Sequence, residues 1–311
     1  SLTERVDDSA ARASAWRLAG LVQPSGLEAA RNYAEAIELF GACGALDRQA
    51  LALAELAHRE LHRGAIESAG RAAQRALVVA RASTVLEPRL DAALAAANVC
   101  AARGDYERSR ELLRERGRLG RALGRLGVVQ GIVESLAHLA YLEGDLGAGV
   151  RLYELSEAIT ARRAAGGLDL RAERVRVRSN LAELWTVLGE PARACELAFS
   201  ARAERDEARV PFPFVESNLA VALARCGRAA EGLVHATAAR AQSEREGNRA
   251  ASLEATWAEA ELLVSLDRAT EAVALLRTEA DRCERDAQRV EAAGLRDAEG
   301  RLAALLGGGF G

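Results

Sequence analysis

Three asparagines are the polar residues whose spacing first suggests a binding function. Asn180 and Asn218 each stand in the string Ser-Asn-Leu-Ala, and Asn98 lies in a related segment upstream. An asparagine side chain offers one acceptor and two donors, so a row of such amides can pair with the backbone of an extended peptide. The alternative is that each amide bonds locally between neighbouring helices.

His58 and His62 are the one histidine pair at a spacing that can hold a metal ion on a helix. The string His-Arg-Glu-Leu-His does not place its Glu where a zinc peptidase needs its base, and no third ligand is near in the sequence. Solvated histidines are therefore favoured, and we expect neither a metal nor another cofactor. A metal-assisted helical enzyme is the less favoured alternative.

Composition excludes several kinds of catalysis. All 42 basic residues are Arg, because the sequence contains no Lys, so a Walker A phosphate loop and a lysine Schiff base are both ruled out. No Gly-x-Ser-x-Gly motif is present, and no cysteine stands in a recognisable nucleophile context. The sequence thus predicts a protein that is not an enzyme.

The patterns of charged and apolar residues limit the classes of partner that the protein could bind. The 42 basic and 45 acidic residues are interleaved and sum to a net charge of −3, which disfavours a nucleic-acid surface. No apolar run reaches the roughly 20 residues of a membrane span. The five cysteines (Cys43, Cys100, Cys195, Cys226 and Cys283) form no Cys-x-x-Cys pair, which favours reduced thiols and a cytoplasmic location.

The elements that carry these residues are predicted to be helices in a repeating array. Apolar residues recur at spacings of three and four, and no stretch alternates with period two, so the chain is predicted to be all-α. Turn residues recur about every 40 positions, and five residues after each one stands a small residue. The turn residues are Gly64, Gly104, Gly144, Gly189, Gly227 and Asp267. This pattern predicts helical hairpins, each with a turn that needs a positive φ, stacked on a shared core.

Two segments carry a resemblance to a known superfamily. "LAHLAYLEGDLGAGVRLYELSEAI" (136–159) and "AANVCAARGDYERSRELL" (96–113) resemble the tetratricopeptide repeat (TPR), although the period exceeds the usual 34 residues. The segment 123–145 resembles the long repeats of large bacterial LuxR-type ATP-dependent transcription activators and related signalling proteins. The resemblance implies a right-handed α-solenoid of antiparallel hairpins whose first helices line a concave face.

This pattern predicts three regions along the chain. Residues 1–46 are expected to form a degenerate helical unit, residues 47–284 six TPR-like repeats, and residues 285–311 a capping helix with a flexible tail. Repeat register then places a ligand-binding set on the concave face. That set is Asn98, His138, Tyr141, Asn180, Glu183, Asn218, Arg225 and Trp257.

The function expected from these features is non-catalytic binding. The ligand would be a protein or peptide segment, another domain of the same polypeptide, or a small effector, with no direct contact to nucleic acid or membrane. The resemblance implies the regulatory or sensor part of a larger bacterial signalling or transcription regulator. The alternative is a structural scaffold that forms a homodimer and has no ligand in its groove.

Overall fold

The computed structural model describes residues 2–22, 26–210, 212–285 and 295–303, and these are helical apart from short connections. No strand occurs within those ranges. Helix-forming Ala, Leu, Glu and Arg fill most of the sequence, so the local preference agrees with the fold. The predicted all-α class is confirmed.

Fourteen helices have both ends within the described ranges. They are α1 (Leu2–Val22), α2 (Gly26–Ala42), α3 (Leu46–His62), α4 (Ile66–Ala82), α5 (Glu87–Ala102), α6 (Tyr106–Ala122), α7 (Leu126–Leu142), α8 (Leu146–Ala165), α9 (Arg171–Val187), α10 (Pro191–Ala208), α11 (Phe214–Arg225), α12 (Ala229–Glu246), α13 (Arg249–Ser265) and α14 (Ala269–Arg285). Residues 295–303 are also helical. Odd-numbered helices are the first helices of successive hairpins, and even-numbered helices are the second.

The turn residues found in the sequence close the hairpins from α3–α4 to α13–α14. Gly64 has a φ of 74° and Gly189 a φ of 82°, and the other three turn glycines lie in the same left-handed region. Asp267 adopts a φ of 58° at the equivalent place, where a side chain is tolerated less well than glycine. The backbone therefore makes the same turn at all six predicted positions.

Small residues let the paired helices approach each other. Each of the six residues found five positions after a turn is buried: Ala69, Ser109, Gly149, Ala194, Gly232 and Ala272. Gly232 shows why, because a Cβ built on it would lie 2.6 Å from the carbonyl oxygen of Ala220 on α11. The hairpin is packed so closely at this point that even a methyl group has no room.

The chain divides into two compact units. Unit 1 comprises residues 1–139 with Glu246–Asn248, and unit 2 comprises residues 140–245 and 249–311. In unit 1, α3 packs on both α4 and α5, around a core that includes Tyr33, Phe40 and Leu53. In unit 2, α9 packs on α10 and α11, and α11 packs on α13. First helices of successive hairpins are thus neighbours within each unit, as in a TPR-like solenoid.

The structure describes only part of the predicted N-terminal unit and of the predicted C-terminal cap. The helices α1 and α2 pack against each other within residues 1–46. At the other end, Leu295 is fully buried against a cluster that contains Ala280 and Cys283 of α14. Residues 286–294 and the expected tail 304–311 lie outside the described residues, so the capping helix stays a prediction. Within the described residues, no helix combines the length and the apolar character needed to cross a bilayer.

Candidate binding face

The first helices carry a row of polar side chains at one repeat position. Six residues before the hairpin turns stand His58 on α3, Asn98 on α5, His138 on α7 and Glu183 on α9. We call the side of each unit that bears these positions the first-helix face. Because the turn residues occupy the same position in every repeat, residues six positions before them also occupy equivalent positions on their helices.

In unit 1, the first-helix face joins successive hairpins through a histidine and an asparagine. Nδ2 of Asn98 donates to Nε2 of His58 over 3.2 Å, and this contact links α5 to α3. Burial lowers the pKa of His58 to about 4 and also lowers the pKa of His62. Both imidazoles are therefore neutral at pH 7, and the Nε2 lone pair of His58 is already used. Within the described residues, no group of three metal-binding side chains gathers around this pair.

A buried arginine supports the same face from behind. Arg116 of α6 is only 8% exposed and donates to the carbonyl oxygens of Leu90 and Val128. Burial raises the pKa of Asp91, and the nearby Arg116 charge opposes that shift. His138 is exposed on α7, yet the surrounding protein lowers its pKa. Arg116 and Asp91 are thus opposite charges close enough to affect each other's pKa values.

In unit 2, four successive first helices contribute to one acidic cluster, which we define as Tyr141, Glu183, Ser217 and Glu254. The hydroxyl of Tyr141 on α7 donates to the carboxylate of Glu183 on α9. The hydroxyl of Ser217 on α11 donates to Oε1 of Glu254 on α13 over 3.0 Å. The cluster therefore presents two carboxylates that two hydroxyl groups hold in place.

The acidic cluster contains two carboxyl groups and no cationic group. Burial raises the pKa of Glu183, and the hydrogen bond from Tyr141 opposes the shift. Burial first, and the charge of Glu183 second, raise the pKa of Glu254 to about 8. Within the described part of the chain, neither carboxylate has an ion pair with an arginine or a histidine. Two half-buried carboxyl groups cannot both ionise at low cost without a cation nearby, so Glu254 is the one that tends to keep its proton, and a cationic group would relieve that cost.

An aromatic ring and an ion pair lie on the same side of α13. Trp257 follows Glu254 by three residues, so the two side chains share a helix face, and Trp257 is 42% exposed. Glu261 lies one turn further and pairs with Arg225 of α11 over 2.5 Å. Exposed aromatic faces attract cations, so Trp257 and the two carboxylates favour the same type of ligand group.

The remaining asparagines bond back to the preceding helices. Nδ2 of Asn180 donates to the hydroxyl of Tyr153 on α8 over 3.0 Å. Nδ2 of Asn218 donates to both the carbonyl and the hydroxyl oxygen of Ser179 on α9, each at 3.0 Å, and Asn218 is only 6% exposed. Both amides therefore donate to a neighbouring helix, which was the alternative considered for them from the sequence.

Two members of the acidic cluster were not found from the sequence. Glu254 and Ser217 are absent from the predicted set, whereas Tyr141 and Glu183 belong to it. Glu254 shares its helix face with Trp257 and Glu261, so helical periodicity extended by one turn would have found it. Ser217 carries no comparable signal, because only its contact with Glu254 gives it a role.

Comparison with known proteins supports the fold. No protein-family model matches the sequence, and no curated protein matches it either. Among solved structures, a Rap protein complexed with competence and sporulation factor has a TM-score of 0.61 and 15% identity, over 94% of this chain and 75% of its own. The Rap conjugation gene regulator of plasmid pLS20, in complex with the Phr* peptide, has a TM-score of 0.56 and 10% identity, over 79% and 71%.

A third similar structure comes from a larger signalling protein. It is a signal transduction ATPase with numerous domains (STAND) from Pyrococcus horikoshii, which has a tetratricopeptide repeat sensor. The TM-score is 0.56 at 12% identity, over 90% of this chain and 43% of the ATPase. At these identities the similarity establishes the TPR-like solenoid fold and leaves ligand and activity to be argued from the side chains.

Proposed function

We propose that this chain, a member of the TPR-like superfamily by its fold, is a non-catalytic module that binds a peptide or protein segment through a basic side chain. The observation that carries the proposal is the pair of carboxylates, Glu183 and Glu254, which lack a cationic partner within the described residues. A lysine or arginine side chain placed between them would supply the missing charge. Trp257 would flank the alkyl stem or the cationic head of that side chain.

The similar structures support the same class of ligand. One of them is a Rap regulator in complex with a peptide, and another is an ATPase with a repeat sensor. We therefore propose that the module is the regulatory or sensor part of a larger bacterial regulator that works in the cytoplasm. Ligand binding would shift the regulator between two arrangements by favouring one of them.

Under this proposal, some of the predicted ligand-binding residues contact the ligand and others hold the helices in place. Tyr141, Glu183 and Trp257 would contact the ligand, together with Glu254. Arg225, which is exposed, would contact a part of the segment beyond the basic side chain, and His138, which belongs to unit 1, stays a prediction from register. Asn98, Asn180 and Asn218 would hold the register between hairpins and so support the face without direct contact.

A random peptide library displayed on phage tests the proposal. Peptides that the purified chain enriches should carry a lysine or arginine at a common position. Replacing that residue by methionine should weaken binding roughly 30-fold or more, because a buried carboxylate then loses its partner. The double variant Glu183→Gln/Glu254→Gln should lose the preference, whereas Glu196→Gln, an exposed site on α10, should keep it. Enrichment without a basic position would overturn the proposal.

Proton release gives a second readout. The pKa of Glu254 is about 8 in the free protein, so this carboxyl group is largely protonated at pH 7. A cation that binds beside it stabilises the carboxylate and expels the proton. Calorimetry in two buffers of different ionisation enthalpy should therefore measure proton release at pH 7, and Glu254→Gln should abolish it.

Light scattering separates this function from the scaffold alternative. A chain that binds a peptide segment on the first-helix face should expose that face when alone. If the isolated chain is an obligate dimer and the library yields no binder, the scaffold interpretation is the correct one.

A further inference from the structure

Two cysteines that are distant in the sequence meet between adjacent hairpins of unit 2. Cys195 lies on α10, and Cys226 directly follows α11. Their Sγ atoms are 3.2 Å apart, and 31 positions of chain separate the two residues. A disulfide requires about 2.05 Å, so the sulfurs need to approach by only about 1 Å.

The two thiols differ in access to solvent. Cys226 is exposed, whereas Cys195 is buried beside Ala182, Leu219 and Leu223. Burial raises the pKa of the Cys195 thiol to about 12, and the hydrogen bond with Cys226 adds to the shift. An exposed thiol reacts first with a dissolved reagent, and a buried neighbour is placed to resolve the product.

The other cysteines lack this arrangement. Cys43 donates to the carbonyl oxygen of Phe40, and Cys283 is buried and accepts a hydrogen bond from Arg249. Cys100 is half-buried on α5, and burial raises its pKa. Within the described residues, Cys195 and Cys226 are the pair whose sulfur atoms are in contact.

We infer that Cys195 and Cys226 form a redox-modification site whose co-substrate is a low-molecular-weight disulfide. The Cys226 thiolate attacks one sulfur of the small disulfide, which forms a mixed disulfide and releases one small thiolate. Cys195 then loses its proton to that thiolate and attacks Sγ of Cys226, which releases the second small thiolate, and this thiolate takes up the proton that Cys226 lost when it ionised. Two protein thiols are oxidised by two electrons, and one small disulfide is reduced to two thiols.

The oxidised form would tie α10 to the end of α11 and so link two consecutive hairpins. The crosslink restricts the unfolded chain over the segment between the two cysteines, which stabilises the folded state. For a chain of this size, we expect the melting temperature to rise by roughly 5 °C or more. The crosslink would also limit the rotation of α11, which carries Ser217 of the acidic cluster, against α10.

Oxidised glutathione tests the inference on the native full chain. The number of free thiols should fall by two, and peptide mapping should recover the Cys195 and Cys226 peptides joined and lighter by two hydrogens. A reductant should restore both thiols and the original melting temperature. Cys43→Ser is the matched control and should lose the same two thiols on oxidation.

Single variants separate the two steps. Cys195→Ser should stop at a glutathione adduct on Cys226, and Cys226→Ser should leave Cys195 unmodified. If the wild-type chain also stops at the adduct, or keeps all its free thiols, the inference is wrong. A crosslink that joins any other pair of cysteines would equally overturn it.

Discussion

The side-chain amide of Asn218 donates to two oxygens of Ser179 across the contact between α11 and α9. Both distances are 3.0 Å, and both residues are buried. Asn218, which the sequence suggested as a ligand-binding residue, thus contributes to the packing contact between consecutive hairpins. Replacing it should affect the stability of the fold.

Asn218→Ala should therefore lower the free energy of unfolding by about 1–3 kcal/mol, because the buried carbonyl and hydroxyl oxygens of Ser179 each lose one hydrogen-bond donor. Urea denaturation measures the loss. Asn180→Ala is the comparison, since Asn180 is half-buried and makes one such bond, and it should cost less. If the two variants unfold at the wild-type urea concentration, these amides do not hold the hairpins together.

The stability of the protein should depend on pH through Glu254. Its pKa is about 8 in the folded state and near 4.5 when unfolded, so the folded state binds more protons between these values. Stability should therefore fall as pH rises from about 5 to 8 and then level off.

Glu254→Gln should remove this slope and raise the free energy of unfolding at pH 8, on the order of 1–4 kcal/mol. Denaturation curves measured at several pH values check the expectation. Glu196→Gln, at an exposed carboxylate, should retain the wild-type slope. A wild-type chain whose stability is constant from pH 5 to 8 would contradict the burial of Glu254.

Gly232→Ala should destabilise unit 2 by about 1–3 kcal/mol. The added methyl group would lie 2.6 Å from the carbonyl oxygen of Ala220 and 2.9 Å from Cδ2 of Leu262. Gly147→Ala on α8 is the matched control, because the nearest atom to its Cβ would be 3.5 Å away. The control should be neutral or gain up to about 1 kcal/mol from the helix preference of alanine. Thermal melts that rank the variants in the reverse order would contradict the close packing at α11–α12.

Asp267→Gly should stabilise the α13–α14 turn by roughly 0.5 kcal/mol, because Asp267 occupies a φ of 58° where glycine has no steric penalty. The reciprocal change, Gly227→Ala at the α11–α12 turn, should cost roughly 1–2 kcal/mol. Urea denaturation of both variants gives the comparison. Equal stability of Asp267→Gly and wild type would mean that the aspartate compensates its own strain.

Much of the architecture was predictable because it depends on local rules. Helix-forming residues, a turn residue about every 40 positions and a small residue five positions later predicted the hairpins from α3 to α14. Each of these signals acts within one helix or one turn, where a positive φ or a missing Cβ is a local demand. The placement of His138, Tyr141, Glu183 and Trp257 on first helices also followed from register.

The partners of those side chains were not predictable in the same way. The bond from Asn98 to His58 spans 40 positions, and the contact between Cys195 and Cys226 spans 31. Glu254 acquires its raised pKa from burial and from Glu183, which belongs to a hairpin two repeats earlier.

The sequence by itself determined that this protein is a stack of helical hairpins, and it determined which residues stand at equivalent repeat positions on the first helices. Only the tertiary structure decided that Asn218 holds a joint, that Glu183 and Glu254 share one cluster, and that two thiols meet. The reason is geometric: repeat period specifies positions along each helix, whereas contact between hairpins depends on their rotation and separation, which the packing of the whole core sets.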